Sequence, residues 1–265
     1  MFGVVPKILW ERHKPADAQN RIQMTTNCLL IGSPNGETLL VDAGIGEKLD
    51  ARGEAQFALP PGEPRLLDRL RAAGVAPESV DHVVLSHLHF DHCGWGTRRD
   101  QDESRGERWV PTFPNARYWI QREELAHARR PNDRDRPSYD PRNFEPLVEA
   151  GLVELFDEEA EPVPGVSAVR APGHTLGMSV VTVEDAGEGA IFLADLVPTA
   201  AHLPTPWVMG YDLYPVTTME TKPGWVARAA ESGWLCVFEH DPETPVARLE
   251  PGDRPGRWRA VAVAT

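Results

Sequence analysis

One short run, Ser86-His87-Leu88-His89-Phe90-Asp91-His92, constrains this chain more than any other part of its sequence. It places His and Asp side chains, which are potential metal ligands, directly after an apolar stretch over 80–85 that predicts a short buried strand. Imidazole nitrogens and carboxylate oxygens are ligands that Zn²⁺ and related divalent metals accept. We predict a loop over 86–96, and so many His and Asp side chains in a loop would pack poorly in an apolar core. We therefore predict that this run binds metal.

The spacing within the run indicates more than one ion. His87 and His89 are two positions apart, so in an extended or turning backbone they can approach one ion from the same side. Asp91 and His92 are adjacent, so we expect their side chains to diverge, which suits a second ion beside the first. A site with two ions needs more ligands than one loop can supply.

Three later residues stand in similar places. His174 follows a predicted strand over 166–169, Asp195 follows one over 190–193, and His240 follows one over 235–238. Short loops at the carboxyl ends of strands can converge on one edge of a sheet. Each residue taken alone is more often an ordinary turn residue, but together with the run all three placements favour a metal site.

The remaining pattern indicates mixed α/β layers. A strand over 21–31, a turn over 33–36 and a strand over 37–43 predict a hairpin, and the first forty residues as a whole suggest strands. Helices are predicted over 64–73 and 223–232. Further strands are predicted over 152–156, 179–183 and 257–263. We expect one domain over 1–265, made of two strand-rich halves with helices outside.

Two stretches, 97–111 and 128–141, are rich in Arg, Asp and Glu and lack an apolar period. Both predict exposed loops. A long ordered loop in a compact domain is often a binding element or a lid, whereas a plain solvated charge run is the competing interpretation.

Composition excludes several classes of protein. The chain has 40 acidic and 27 basic residues and a formal net charge of −13, which argues against a nucleic-acid partner and a polybasic membrane binder. No apolar run is long enough for a membrane helix, and the amino-terminal segment does not resemble a signal peptide. Three cysteines provide neither a disulfide framework nor a thiolate metal site. We expect a cytoplasmic protein whose oligomeric state the sequence leaves open.

These residues resemble the metallo-β-lactamase-fold hydrolases. The resemblance rests on the HxHxDH run at 87–92, His174 in a PGHT setting, Asp195 in LADL and His240 in FEHD, and it spans about residues 20 to 245. It implies an αββα four-layer sandwich with the metals at one edge. It also implies that two divalent ions, zinc or alternatively iron or manganese, share seven ligands. One ion would take His87, His89 and His174, the other would take Asp91, His92 and His240, and Asp195 would bridge them.

Within that superfamily the run looks most like the acyl-homoserine-lactone lactonase branch and its uncharacterised relatives. Those lactonases carry a tyrosine shortly after the bridging aspartate, whereas this segment continues as Leu196-Val197-Pro198. Tyr211 and Tyr214 come later and could serve only if their loop folds back.

The first functional hypothesis is a dinuclear metal-dependent hydrolase of a small ester or lactone. Two ions that hold a bridging water lower its pKa enough to give hydroxide near neutral pH, and that hydroxide attacks the substrate. By resemblance, Asp91 is the catalytic residue that accepts and passes on a proton. One alternative is a thioester hydrolase similar to glyoxalase II, or a phosphodiester hydrolase. Another is a non-catalytic metal-binding or regulatory protein.

Other residues are candidates for orienting the imidazoles or contacting substrate. Asp42, Ser86 and Thr175 could orient ligands or simply satisfy turns. His202 could face the substrate, with Trp207 and the two tyrosines as an apolar wall and Met24 as a weaker candidate. Cys93 is expected to pack as a small residue. We expect structural or exposed roles for the remaining histidines, His13, His82 and His127.

Overall fold

The computed structural model of the protein describes residues 1–61, 65–100, 102, 104, 106, 108–254 and 256–263. The chain divides into two compact units. The first unit contains residues 1–27, 121–124 and 157–265, and the second contains 28–120 and 125–156. Of the helices formed by these described residues, none has the length and apolarity that a membrane crossing requires.

The secondary structure alternates between short helices and short strands. The α-helices are α1 Lys7–Trp10, α2 Ala51–Phe57, α3 Leu66–Ala72, α4 Phe90–Cys93, α5 Arg122–Ala128, α6 Glu145–Glu149 and α7 Pro215–Glu231. The strands are β1 Leu29–Gly32, β2 Thr38–Val41, β3 His82–Val84, β4 Thr97–Arg99, β5 Trp109–Pro111, β6 Arg117–Gln121, β7 Val153–Phe156, β8 Glu159–Val163, β9 Val166–Arg170, β10 Ser179–Asp185, β11 Glu188–Phe192, β12 Leu235–Val237, β13 Val246–Pro251 and β14 Trp258–Ala262.

The second unit is built on a five-stranded sheet of order β1-β2-β3-β6-β7. β1 and β2 form the predicted antiparallel hairpin, whose turn closes through a hydrogen bond from Gly36 N to Ser33 O of 3.0 Å. β2, β3 and β6 run parallel, so their carboxyl ends share one edge. The run 86–92 leaves β3, the central strand, at that edge.

An apolar core fixes β3 in this sheet. Val83, Leu85 and Leu88 are at most 1% exposed and pack with Tyr118 of β6. The Tyr118 hydroxyl donates to Gly96 O at 3.0 Å, which satisfies its polar end inside the core. The backbone on both sides of the metal-ligand run is therefore anchored by buried contacts.

The first unit carries a seven-stranded sheet of order β14-β13-β12-β11-β10-β9-β8. All neighbouring strands are antiparallel except β11 and β12, which run parallel and are joined by the long helix α7. The strands predicted over 166–169, 179–183, 190–193, 235–238 and 257–263 are confirmed to within two residues at their ends.

Several predicted elements are wrong in part. Residues 21–28 of the predicted strand over 21–31 are irregular, and α1 lies in a segment expected to hold strands. Asn27 explains part of this, because its side-chain amide donates to Phe238 O and Asp241 O at 3.0 and 3.1 Å. This side chain therefore holds the irregular segment in place without strand pairing.

The helix predicted over 223–232 begins eight residues earlier, at Pro215. Proline is favoured at the first helical position, which made Pro223 look like a start. Here Pro215 takes that position and Pro223 lies in the helix interior. α3 confirms the helix predicted over 64–73, although residue 64 lies outside the described residues. β8 and β13 were not predicted. The sequence of β8, Glu159-Ala-Glu-Pro-Val163, is charged and contains proline, which is more typical of a turn.

The charged stretch 97–111 is not simply a loop, because its ends pair as the two-stranded sheet of β4 and β5. Trp109 explains the pairing: the Lys48 ammonium lies 4.6 Å from its ring centroid, and the Arg142 and Arg99 guanidiniums lie at 5.4 and 5.7 Å. Residues 101, 103, 105 and 107 of this predicted loop lie outside the described residues. The second stretch, 128–141, is largely irregular, with a 3₁₀ turn at Arg136–Ser138.

Candidate functional site

The seven predicted ligands are divided between the two units. The second unit contributes His87, His89, Asp91 and His92, which follow β3. The first unit contributes His174 from the β9–β10 loop, Asp195 from a 3₁₀ turn after β11, and His240 after β12. Each group lies after the carboxyl end of a strand.

In the second unit the imidazoles of the run form a compact, buried group. His87 Nε2 lies 3.1 Å from His89 Nδ1, and the His87 and His92 ring centroids are 3.9 Å apart. His87 and His92 are fully buried, and His89 is 6% exposed. Nitrogen atoms of three histidines thus lie close together, although burying that many imidazoles is costly unless they are paired or coordinate a metal.

The predicted loop over 86–96 is wrong at its centre, where α4 and a 3₁₀ turn at Gly94–Gly96 replace it. The helix forms because the amides of His92 and Cys93 donate to His89 O at 3.1 Å. The expected divergence of Asp91 and His92 is also wrong, because Asp91 Oδ1 lies 3.8 Å from His92 Nε2. The two side chains can therefore share one ion.

Asp42, directly after β2, contacts two residues of the run 86–92. Its carboxylate accepts hydrogen bonds from the backbone amide and hydroxyl of Ser86, both at 2.6 Å, and faces His92 Nδ1 at 3.0 Å. Ser86 Oγ in turn lies 3.1 Å from His87 Nδ1. Asp42 has a left-handed backbone with φ of 57°, a conformation that non-glycine residues adopt at a cost and that clusters at functional sites.

In the first unit Asp195 connects two histidines. Its Oδ2 lies 3.1 Å from His174 Nε2, and its Oδ1 lies 3.1 Å from His240 Nε2. All three side chains are at least 93% buried. Each carboxylate oxygen therefore faces a different imidazole.

The hydrogen-bond partners of Nδ1 in His174 and His240 indicate whether the Nε2 atoms of these rings carry a proton. His240 Nδ1 lies 2.7 Å from the carbonyl oxygen of Thr25, which can only accept a hydrogen bond, so Nδ1 carries the proton. His174 Nδ1 lies 3.0 Å from the buried Asp212 carboxylate, which favours the same tautomer. In the neutral rings, both Nε2 lone pairs then point at carboxylate oxygens of Asp195.

A bound cation would offset the repulsion between these Nε2 lone pairs and the Asp195 carboxylate. Two ligand atoms bound at about 2.0–2.1 Å to one tetrahedral ion lie about 3.3 Å apart, close to the 3.1 Å separations around Asp195. Imidazole with carboxylate is a donor set that suits Zn²⁺, Fe and Mn. The residues of the first unit therefore fit divalent metal ions.

Asp212 is a site residue that the sequence analysis missed. Besides His174 Nδ1, its carboxylate accepts from the Met209 amide at 3.2 Å, and it is 1% exposed. It stands 38 positions after His174 in a loop without strand or helix period. No local pattern pointed to it.

The other candidates for orienting ligands or contacting substrate, Thr175 and His202, are both buried and have other partners. Thr175 donates to Glu124 at 2.6 Å, so its hydroxyl serves the loop rather than the neighbouring imidazole. His202 is 1% exposed, its Nδ1 lies 2.8 Å from Thr199 Oγ1, and its ring stacks on Phe2 with centroids 4.4 Å apart. Its Nε2 has no hydrogen-bond partner among the described residues. Burial lowers the pKa of His202 to about 3, so the ring is neutral.

The candidate wall residues lie in the loop before α7. Tyr214 N donates to Gly173 O at 2.9 Å, so this loop does fold back to the residue beside His174. Tyr211 is 61% exposed, and Trp207 contacts Phe2 edge-on at 5.8 Å. Met24 is 36% exposed.

The remaining cysteine and histidines have structural surroundings. Cys93 is buried, which raises the pKa of its thiol, and Sγ donates to Leu88 O and His89 O. His82 lies between Glu37 and Trp119, at 3.3 Å from the carboxylate and 3.1 Å from the indole nitrogen. His13 is exposed and contacts Trp207 edge-on.

Comparison with known proteins places the fold. Residues 22–98, which include the run 87–92, match the sequence profile of the metallo-β-lactamase superfamily. An N-acyl homoserine lactonase of Bacillus cereus is 28% identical over 184 residues. This match spans 66% of the chain and 64% of that relative, slightly less than two thirds of the relative's length.

Solved structures agree over nearly the whole chain. A probable metal-dependent hydrolase from Staphylococcus aureus matches with a TM-score of 0.86 and 28% identity, covering 100% of this chain and 92% of that one. AidC, a dizinc quorum-quenching lactonase, matches with a TM-score of 0.75 and 21% identity, covering 98% and 85%. The predicted fold class is confirmed: the chain has the metallo-β-lactamase fold and is similar to metal-dependent hydrolases of that superfamily.

Proposed function

We propose that this protein is a dinuclear metal-dependent hydrolase, in which both units act together as one hydrolase domain. The observation that carries the proposal is the position of Asp195, whose two oxygens each face a different imidazole at 3.1 Å. A carboxylate so placed can bridge two ions. His87, His89 and His174 would hold one ion, and Asp91, His92 and His240 would hold the other.

The proposed ions are zinc, with iron or manganese as alternatives. Support comes from the imidazole and carboxylate donor set and from AidC, which is described as a dizinc lactonase. When bound, such ions lower the pKa of water and polarise the carbonyl oxygen of a substrate.

The chain's own residues orient the ligands. Asp42, Ser86, Asp212 and the Thr25 carbonyl each contact the Nδ1 atom of a different ligand histidine. These contacts fix the tautomer that leaves Nε2 free for metal and hold each ring in one orientation. The site is thereby pre-organised before any ion binds.

Asp91 is the proposed proton carrier. Its side chain is 26% exposed, whereas the other six ligand residues are buried. A carboxylate that reaches both the ligand group and the surface can take a proton from water and return it to the leaving group.

The proposed substrate is a small lactone or ester. The relatives named N-acyl homoserine lactonase support the lactone, and Tyr214, whose loop folds back beside His174, would suit an apolar substrate portion. Thioesters and phosphodiesters are the competing substrates.

A panel of lactones, aryl esters, thioesters and phosphodiesters tests the proposal. We expect measurable hydrolysis of lactones, with loss of at least about two orders of magnitude in kcat/KM in His87→Ala and Asp195→Ala. Higher activity on thioesters or phosphodiesters would move the protein to the competing substrate class. Failure on the whole panel by metal-loaded protein would favour a non-catalytic metal-binding protein.

A further inference from the structure

Tyr139, from the charged stretch 128–141, packs against a predicted metal ligand. Its ring meets the imidazole of His89 edge-on, with centroids 4.7 Å apart and planes at 64°. Tyr139 is 7% exposed and belongs to the apolar core of the second unit, although the surrounding sequence is strongly charged. The charged stretch 128–141 therefore contacts a predicted metal ligand through the aromatic ring of Tyr139.

Tyr139 also contacts a second histidine. His127, at the end of α5, meets the Tyr139 ring edge-on at 5.7 Å. Its Nε2 lies 2.5 Å from Asp135 Oδ2, and Asp135 is 4% exposed. Burying a carboxylate is costly, and a close imidazole offsets that cost, so His127 and Asp135 form a pair that fixes both side chains.

The backbone between these residues is internally ordered. The Asn132 side-chain oxygen accepts from Arg134 N at 2.9 Å, and Ser138 N donates to Asp135 O at 2.8 Å. Arg129 forms two hydrogen bonds of 2.8 Å with Glu145 at the base of the segment. Turns and ion pairs thus place Asp135 and Tyr139 in defined positions rather than leaving them in a flexible loop.

We propose that Tyr139 is a positioning residue for His89, and that the His127–Asp135 pair holds Tyr139 against it. An imidazole binds a metal well only when its ring plane points the nitrogen at the ion. The edge contact restricts rotation of the His89 ring, so part of the metal affinity is set by a loop that supplies no ligand. This inference rests on the proposed metal site.

The test measures zinc affinity directly, by competition with a chromogenic chelator on the full chain. Tyr139→Leu removes the ring edge and should weaken zinc binding about 2- to 10-fold, the range expected for one aromatic contact. Tyr139→Phe keeps the ring and should stay within about 2-fold of wild type. His127→Gln should lie between them, and its effect should largely vanish when combined with Tyr139→Leu, because both act through one contact.

Phe113→Leu is the matched control, because Phe113 is a fully buried aromatic residue of the same core. It should lower the melting temperature as Tyr139→Leu does but leave zinc affinity unchanged. Equal zinc affinity in Tyr139→Leu and wild type would overturn the inference, as would equal losses in Tyr139→Phe and Tyr139→Leu. A wild-type protein that binds no zinc would instead contradict the proposed function itself.

Discussion

The Nδ1 atom of His174 lies 3.0 Å from a carboxylate oxygen of Asp212, although 38 positions separate the two residues. The contact is buried, and the loop carrying Asp212 is tied back by a hydrogen bond from Leu213 N to His174 O of 3.0 Å. An anionic partner at Nδ1 fixes the ring tautomer and makes Nε2 a stronger donor to a metal. Asp212 thus acts on the predicted metal site without being a ligand.

Asp212→Asn should therefore weaken metal binding while leaving the fold intact. Loss of such an outer partner typically costs about 10- to 100-fold in metal affinity, which chelator competition can measure. Asp185→Asn, at the exposed end of β10 in the same unit, is the control and should bind metal as the wild type does. Equal affinity in both variants would show that Asp212 has no influence on the site.

Asp212 also shows what the sequence could not reveal about the candidate site. The ligand candidates were visible because the run 87–92 concentrates them and because His174, Asp195 and His240 each follow an apolar strand. Asp212 lies in an irregular loop, and its contact with His174 depends on how that loop folds back. Periodicity carries no information about such contacts.

The predictions of secondary structure were right where the local sequence pattern is typical of the element that forms. The hairpin of β1 and β2 has a turn sequence between two apolar runs and is confirmed, although its first strand begins eight residues later than predicted. β8 was missed because Glu159, Glu161 and Pro162 suit an edge strand, which pairs on one side only and tolerates charge and proline. α4 was missed because four residues are too few to show a helical period.

Gly94, directly after α4, should not tolerate a side chain. A Cβ at this position would lie 2.0 Å from Ile45 O, and Lys48 Nζ donates to Gly94 O at 2.7 Å. Gly94→Ala must push these segments apart, at a cost of about 1–3 kcal/mol in the free energy of unfolding. Because α4 carries Asp91 and His92, zinc affinity should fall as well.

Gly32→Ala gives the comparison, because a Cβ at Gly32 meets nothing within 4 Å. Chemical denaturation should show a much smaller change for this variant, within about 1 kcal/mol. Similar free energies of unfolding for the two variants would refute the close packing at Gly94.

His202 should make the protein sensitive to acid. Burial lowers the pKa of its imidazole from 6.5 to about 3, with smaller contributions from Lys222 and the amino terminus. Between these two pH values the unfolded chain binds a proton that the native chain does not, so the free energy of unfolding falls as pH decreases from 6.5. His202→Phe keeps the stacking on Phe2 and removes this dependence.

The measurement is the free energy of unfolding at several pH values from neutral to acid, at equal metal content. The variant should lose less stability than wild type on acidification, whereas His13→Phe, at an exposed ring, should behave as wild type does. Parallel curves for His202→Phe and wild type would contradict a neutral, buried His202.

Asp195 and the surrounding histidines are proposed to hold two metal ions. Elemental analysis of the protein purified without added metal tests this proposal most directly. We expect about two divalent ions per chain, chiefly zinc with iron or manganese as alternatives, and a clear loss of bound metal in Asp195→Ala. A wild-type content near zero, or an unchanged content in Asp195→Ala, would contradict it.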